Sequence, residues 1–251
     1  PPPPPPPPPP PFFFQAFDGI REQPRPRGLG DVHKRQFDGP SGAGKGTVAR
    51  QLASVFKCQH IDTGAMYRAV AWRAVQGDYS FDDEAALAKI AENACFNFSD
   101  AKLTMDGHDV TDLIRTPEMD AAAAKVARLS KVRAALVKRQ RALADGQRVV
   151  MEGRDIGTSV FPDAHVKIYL DASPEERAER RAQDPAHRLP SNVCVEEVAS
   201  ALKARDHLDR TRATSPLKQA SDAVLVDTTG TPVDEVIAQV TRIVSRKLDL
   251  L

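Results

Sequence analysis

Gly39-Pro40-Ser41-Gly42-Ala43-Gly44-Lys45-Gly46-Thr47 fits G-x-x-x-x-G-K, the pattern of a loop that wraps phosphate groups. Its glycines let backbone N–H groups converge on an anion, and Lys45 adds a mobile positive charge. The helix expected after the loop adds the positive end of its dipole. Ser or Thr usually follows the lysine directly; here Gly46 intervenes and Thr47 comes next. This motif calls for a strand before it and a helix after it.

The strand is the difficulty. The residues ahead of the loop are Val32-His33-Lys34-Arg35-Gln36-Phe37-Asp38, and only Val32 and Phe37 are apolar. A buried lysine or arginine is costly unless paired. The sequence therefore predicts a damaged strand, or one whose native sequence has been replaced up to about Gln36. Residues 1–11 are all proline, which allows polyproline II and no core. Residues 1–36 read as a disordered tail that need not be native; a proline-rich ligand for an SH3-like groove is the functional alternative.

From residue 37 on, elements alternate. Val48, Leu52 and Val55 recur at helical spacing. Residues 59–62, 148–152, 165–170 and 223–227 read as strands. Helices are expected over 65–76, from 82, from Thr116-Pro117, over 130–145, from Ser173-Pro174, over about 193–211 and from Thr231-Pro232. Asp106-Gly107 after alternating Leu103 and Met105 is hairpin chemistry, placing a small β insert over 94–112. Strands alternating with helices imply a parallel sheet with ligands beyond the strands' carboxyl ends. The fold class is thus α/β.

The chain has 251 residues with 35 Lys and Arg against 34 Asp and Glu, a balance that argues against bulk nucleic-acid binding. Cys58, Cys95 and Cys194 are widely spaced and read as small buried hydrophobes, with no disulfide framework. The six histidines lack metal spacing, and Trp72 and Tyr67 read as core. No apolar run approaches the roughly 18 residues of a membrane span, and no secretory signal precedes the domain, so the expectation is a cytoplasmic protein.

Four further clusters fall at strand ends or on helices facing the same edge: Asp62 to Arg68, Glu152 to Thr158, Arg177 to Arg181 and Arg205 to Arg212. Their common element is arginine, whose guanidinium grips phosphate bidentately. A kinase whose acceptor is itself a phosphate needs cations and exclusion of water more than a base.

The G-K-G-T form is similar to nucleoside monophosphate kinases. Together D-G-P-S-G-A-G-K-G-T, D-T-G-A-M-Y-R, G-R-D-I-G-T, F-P-D-A, K-I-Y-L-D-A-S and R-D-x-x-D-R-x-R, in that order over about 38–251, resemble the bacterial-type cytidylate kinases. The resemblance implies a P-loop sheet flanked by helices, an acceptor-binding insert at about 64–145 and a helical lid at about 177–192. It implies ATP and Mg²⁺ as cofactors, CMP and dCMP as acceptors, and a monomer in pyrimidine nucleotide metabolism. Gly39 to Thr47, with Lys45, would hold the ATP phosphates, and Thr47 would stand near Mg²⁺ through water. Arg68 and Arg154 would grip the acceptor phosphate, with Arg212 near the transferring group and Thr63 in the acceptor site. Arg205 and Asp209 would contact ribose, and Arg133 and Asp155 cytosine. Arg177, Arg180 and Arg181 would cover ATP from the lid, whose tip is Asp184 to Leu189. The family often has a cytosine-contacting serine where this chain has Ala124, which favours weaker discrimination against UMP. A broader UMP/CMP kinase, or a nucleotide-binding protein impaired by the strand before Gly39, are the alternatives.

Overall fold

The computed structural model describes residues 34–99, 102–184 and 194–248. The proline tail up to residue 33 and most of the expected lid tip, residues 185–189, lie outside the described residues.

Five parallel strands form the central sheet: β1 (Lys34–Asp38), β2 (Gln59–Asp62), β6 (Val149–Glu152), β7 (Val166–Asp171) and β8 (Val224–Asp227), in the order β2-β6-β1-β7-β8. The other elements are α1 (Lys45–Val55), α2 (Thr63–Gln76), α3 (Glu84–Asn93), β3 (Phe96–Ser99), β4 (Lys102–Met105), β5 (His108–Asp109), α4 (Pro117–Val126), α5 (Ser130–Leu143), α6 (Pro174–Ala182), α7 (Val195–Thr211) and α8 (Val233–Lys247). From β1 the chain crosses to the edge strand β2, returns through β6 beside β1, and then passes to the other side through β7 and β8. That reversal opens a crevice beyond the carboxyl end of β1, and the phosphate-loop motif occupies that end.

The expected damage to β1 does not occur. Phe37 is completely buried between Glu152 of β6 and Ile168 of β7 in the ladder. Parallel pairing uses backbone groups, so the polar side chains do not prevent it. They reach stabilising surroundings instead. Lys34 lies over the Phe161 ring at 4.4 Å, and the Arg35 guanidinium lies 4.9 Å from the Phe56 ring while donating to Cys58 Sγ at 3.2 Å. Gln36 Nε2 donates to the Phe161 carbonyl. The domain therefore includes Lys34 to Gln36, which the sequence had assigned to the tail.

The two faces of the sheet bury separate cores. Phe37, Val150, Ile168, Leu170 and Val226 meet Val48 and Leu52 of α1 and Val240 and Val244 of α8. On the other face, Ile61, Val149 and Met151 join Met66, Val70, Leu87, Met105, Val126 and Leu136. Val149 and Val150 thus point to opposite faces, as the strand period requires, and the insert is continuous with the sheet's core. Its antiparallel sheet, β3-β4-β5, turns from β4 to β5 at Asp106-Gly107, both at positive φ, the geometry of a type I′ turn.

The expected starts at Thr116-Pro117 and Ser173-Pro174 form, whereas α8 begins at Val233, after Thr231-Pro232, with no side-chain cap. Asp62, Thr116 and Ser173 each cap a helix by accepting a backbone N–H. α2 begins at Thr63 rather than Ala65, because Asp62 supplies the cap. A π-helical turn, Ile156–Val160, was not anticipated. Two of the three cysteines are corrected as well: Cys95 and Cys194 are exposed, and only Cys58 is partly buried. No helix among the described residues is long and apolar enough to cross a membrane.

Candidate active site

Two backbone approaches fix the loop. Gly39 has φ +144°, and a Cβ there would stand 2.0 Å from the Leu170 carbonyl oxygen. Gly42 has φ +81°, and its Cβ would stand 2.7 Å from the Arg177 carbonyl oxygen. Only glycine meets both demands. Behind the loop, buried Arg177 forms an ion pair with buried Asp206 and donates to the Ser41 and Ala172 carbonyls at 3.1 Å. The Ser41 N–H faces Asp206 Oδ1 at 3.5 Å. Arg177 was expected over ATP in the lid; it instead lies beneath the loop and braces it.

The cleft above the loop has a volume of about 1340 Å³. Ser41 to Thr47 line it, whereas Gly39 and Pro40, expected to bind ATP, are not among its lining residues. Thr63, Arg68, Arg133, Arg154, Asp155, Arg181, Arg205, Asp209 and Arg212 line it too, as does Ala124. Tyr67 is buried in the core as expected and also forms part of this wall, with the Arg133 guanidinium 5.5 Å from its ring. Thr63 also ties the start of α2 to the end of β6, its hydroxyl donating to the Glu152 carbonyl at 2.7 Å.

The arginines of the cleft are held by carboxylates in an alternating chain. Arg133 pairs with Asp155 and donates to the Ala127 carbonyl. Asp155 Oδ1 is 3.4 Å from Arg212, which also meets Asp209 at 3.3 Å and the Ser215 carbonyl at 2.8 Å. Asp209 in turn pairs with Arg154 at 3.2 Å. A second group converges on Asp120 of α4: Arg181, Arg205 at 3.2 Å and Arg68 at 3.8 Å. Arg68 also pairs with Asp62 at 3.0 Å. Arg180, by contrast, is tied to Thr228 and Glu176.

Sequence reasoning gave no role to Asp120, Asp206 or Asp38. Asp120 reads as one more acid in the first turn of a helix, which the dipole alone explains. Asp38 accepts the N–H groups of Ile156 at 2.8 Å and Gly157 at 2.7 Å, so the end of β1 shapes the turn that carries Arg154 and Asp155. Burial pushes its carboxyl up to about 6, against those two hydrogen bonds.

Lys45 curls back and donates to its own loop, to the Pro40 carbonyl at 2.6 Å. Burial, reinforced by Arg154, brings its ammonium down to about 7, although Glu152, Asp38 and Asp206 oppose the shift. Asp62 is also lowered, but here the charges win over burial: burial pushes it up, while Arg68 and His60 hold it down to about 2. Thr47 presents an exposed hydroxyl to the cleft in the first turn of α1. The Glu152 carboxylate, paired with His60 at 2.9 Å, lies 3.3 Å from where a Cβ on Gly46 would be. A hydroxyl and a carboxylate beside a phosphate loop suit a hard divalent cation.

The family model for cytidylate kinase matches residues 36–246. The chain belongs to the cytidylate kinase family. It is 44% identical over 219 residues to the cytidylate kinase of Carboxydothermus hydrogenoformans, covering 86% of this chain and 98% of that one. It is 46% identical over 214 residues to the cytidylate kinase of Pelotomaculum thermopropionicum, covering 83% and 94%. An uncharacterized protein of solved structure from Eubacterium ventriosum aligns with a TM-score of 0.50 at 10% identity, over 86% of this chain and 99% of that one, a likeness of fold alone. The family match starts at Gln36, inside β1, so the cytidylate kinase domain rests on a strand whose first two residues precede the match.

Proposed function

We propose that this cytidylate kinase transfers the γ-phosphoryl group of ATP to a phosphate oxygen of CMP, forming CDP, and acts on dCMP likewise. The observation that carries the reading is the convergence, in one cleft with the phosphate loop, of Lys45 with Arg68, Arg133, Arg154, Arg181, Arg205 and Arg212. The attacking oxygen is already anionic. Asp155 and Asp209 are each engaged by two arginines, in keeping with a reaction that needs no carboxylate base.

Lys45 leaves the Pro40 carbonyl to meet the donor phosphates, joined by loop N–H groups of Gly42 to Thr47; Gly39 to Ser41 shape the loop. Arg154 and Arg212, neighbours through Asp209, neutralise charge between donor and acceptor. Arg68 takes the acceptor phosphate, with Thr63 beside it. Arg205 and Asp209 meet ribose, and the Arg133–Asp155 pair meets cytosine. Arg181 approaches from the lid, while Arg177 acts on ATP only through the loop. Thr47 and Glu152 would hold Mg²⁺ through water, and the ion supplies charge that neutralises the donor phosphates. Product analysis tests the reading: CMP, ATP and Mg²⁺ must yield CDP and ADP in equal amounts. ADP accumulating while CMP stays unconverted would mean bare ATP hydrolysis and reject it.

Two further results are expected. Ala124 lines the cleft, so Ala124→Ser should restore one hydrogen bond to cytosine, worth about 1 kcal/mol. The kcat/KM ratio of CMP over UMP should rise about fivefold; an unchanged ratio would remove Ala124 from the base site. The second concerns protons. With its ammonium near 7, Lys45 is about nine-tenths neutral in the free protein at pH 8. Bound polyphosphate raises that pKa, so binding takes up a proton and affinity for ATP increases as pH falls from about 9 towards 7. Calorimetric titration of ATP in buffers of different ionisation enthalpy should show this uptake at pH 8, and Lys45→Ala should lack it. Equal heats in both buffers would mean that Lys45 is already charged.

A further inference from the structure

Asp120 of α4 draws arginines from three other elements onto one carboxylate: Arg68 of α2, Arg181 of α6 and Arg205 of α7. Its side chain is mostly buried, at 15% exposure. A carboxylate has lone-pair directions enough for several donors, so one oxygen pair serves the group. The arginines crowd one another: burial brings Arg181 down to about 10 despite Asp120, with Arg205 and Arg68 adding to the shift. Burial lowers Arg205 too, with Arg154 and Arg68 contributing and Asp120 opposing. Three guanidiniums brought together in a cleft need an anion between them, and in the nucleotide-free protein Asp120 is a shared one.

We propose that Asp120 is a resident anion that occupies the Arg68, Arg181 and Arg205 guanidiniums in place of nucleotide, competes with the acceptor's phosphate for Arg68 and with its ribose for Arg205, and so sets the affinity for CMP. The proposal rests on the cytidylate kinase reading of the cleft. Asp120 carries one negative charge against three positive, so the group stays receptive to a phosphate dianion, which brings more charge and more oxygens than a carboxylate. The carboxylate also links the insert, through α2 and α4, to the lid side, through α6 and α7. A nucleotide that takes over the arginines therefore breaks one cross-cleft contact as it makes its own. Asp120 is a positioning residue: it acts on the nucleotide through the arginines.

The test compares the full chain with Asp120→Asn and Asp120→Ala, using CMP and inorganic sulfate as probes. Where a competing state is about nine-tenths populated, removing it tightens apparent binding about tenfold. Calorimetry should show CMP binding about tenfold tighter in both variants. Sulfate, as a competitor against CMP, should inhibit at about tenfold lower concentration. KM for CMP should fall while kcat does not rise, a split that a purely structural role would not produce. If CMP and sulfate bind no more tightly, or more weakly, in a variant that melts cooperatively, Asp120 supports the arginines and the proposal is overturned. Two variants keep the test available if one fails to fold. Failure of the wild-type chain to bind or phosphorylate CMP would instead reject the cytidylate kinase reading, and direct calorimetric titration of sulfate into the wild-type chain and both variants would still decide the role of Asp120.

Discussion

Lys45→Ala is expected to lower kcat for CDP formation by about a thousandfold, since removing one preorganised charge partner of a transition state costs on the order of 10²–10³ in rate. Lys45 is buried, its ammonium is fixed to the Pro40 carbonyl at 2.6 Å, and Arg154 acts on it directly. Alanine leaves that carbonyl free to be hydrated and removes a charge whose pKa is already depressed, so the fold should tolerate the change. The variant should melt at or above the wild-type temperature at pH 7. The gain should grow as pH falls from about 10 towards 7 and level off below it, because the unfolded lysine holds a proton that the folded one lacks only between its unfolded value of 10.5 and its folded pKa of about 7. Steady-state ADP release and a thermal melt at pH 6 and 8 check both statements. A variant retaining more than a tenth of wild-type activity would remove Lys45 from the reacting centre.

Asp206→Ala is expected to be the most damaging single change outside the cleft. It leaves Arg177 buried with no carboxylate, and breaking a buried ion pair this way costs about 3–5 kcal/mol. For a domain of this size the melting temperature should fall by about 10 °C. The loss should be specific as well as general. Arg177 holds the Ser41 carbonyl and Asp206 faces the Ser41 N–H, so the phosphate loop loses its brace. ATP binding should weaken far more than CMP binding, as parallel calorimetric titrations would reveal. Asp206→Asn, which keeps an acceptor for Arg177, should lose less. An unaltered melt in Asp206→Ala would show that the pair is dispensable.

The phosphate loop, the alternation of strands and helices, and the β insert were all legible because each depends on local signals. Glycines at fixed spacing, apolar strands and the Asp106-Gly107 turn speak for themselves. The strand before the loop was misread because burial was equated with apolar composition. Its backbone pairs on both sides, and the Phe56 and Phe161 rings lie against the charged ends of Arg35 and Lys34, contacts remote in sequence. Arg177 was misplaced for a related reason. In Glu175-Glu176-Arg177-Ala178-Glu179-Arg180-Arg181 every arginine looks alike, and only the docking of α6 on the loop turns one of them inward. The carboxylates that hold the arginines were hidden differently. Asp120, Asp206 and Asp38 meet their partners across the fold, and nothing in their neighbours distinguishes them from surface acids.

The most direct test of the account is acceptor selectivity on the full 251-residue chain. ADP release from ATP and Mg²⁺ is followed with CMP, dCMP, UMP and AMP in parallel. The account predicts the highest kcat/KM for CMP and dCMP, lower values for UMP and the lowest for AMP, with all turnover lost in Lys45→Ala. Turnover led by AMP, or none with any acceptor from protein that melts cooperatively, would contradict it.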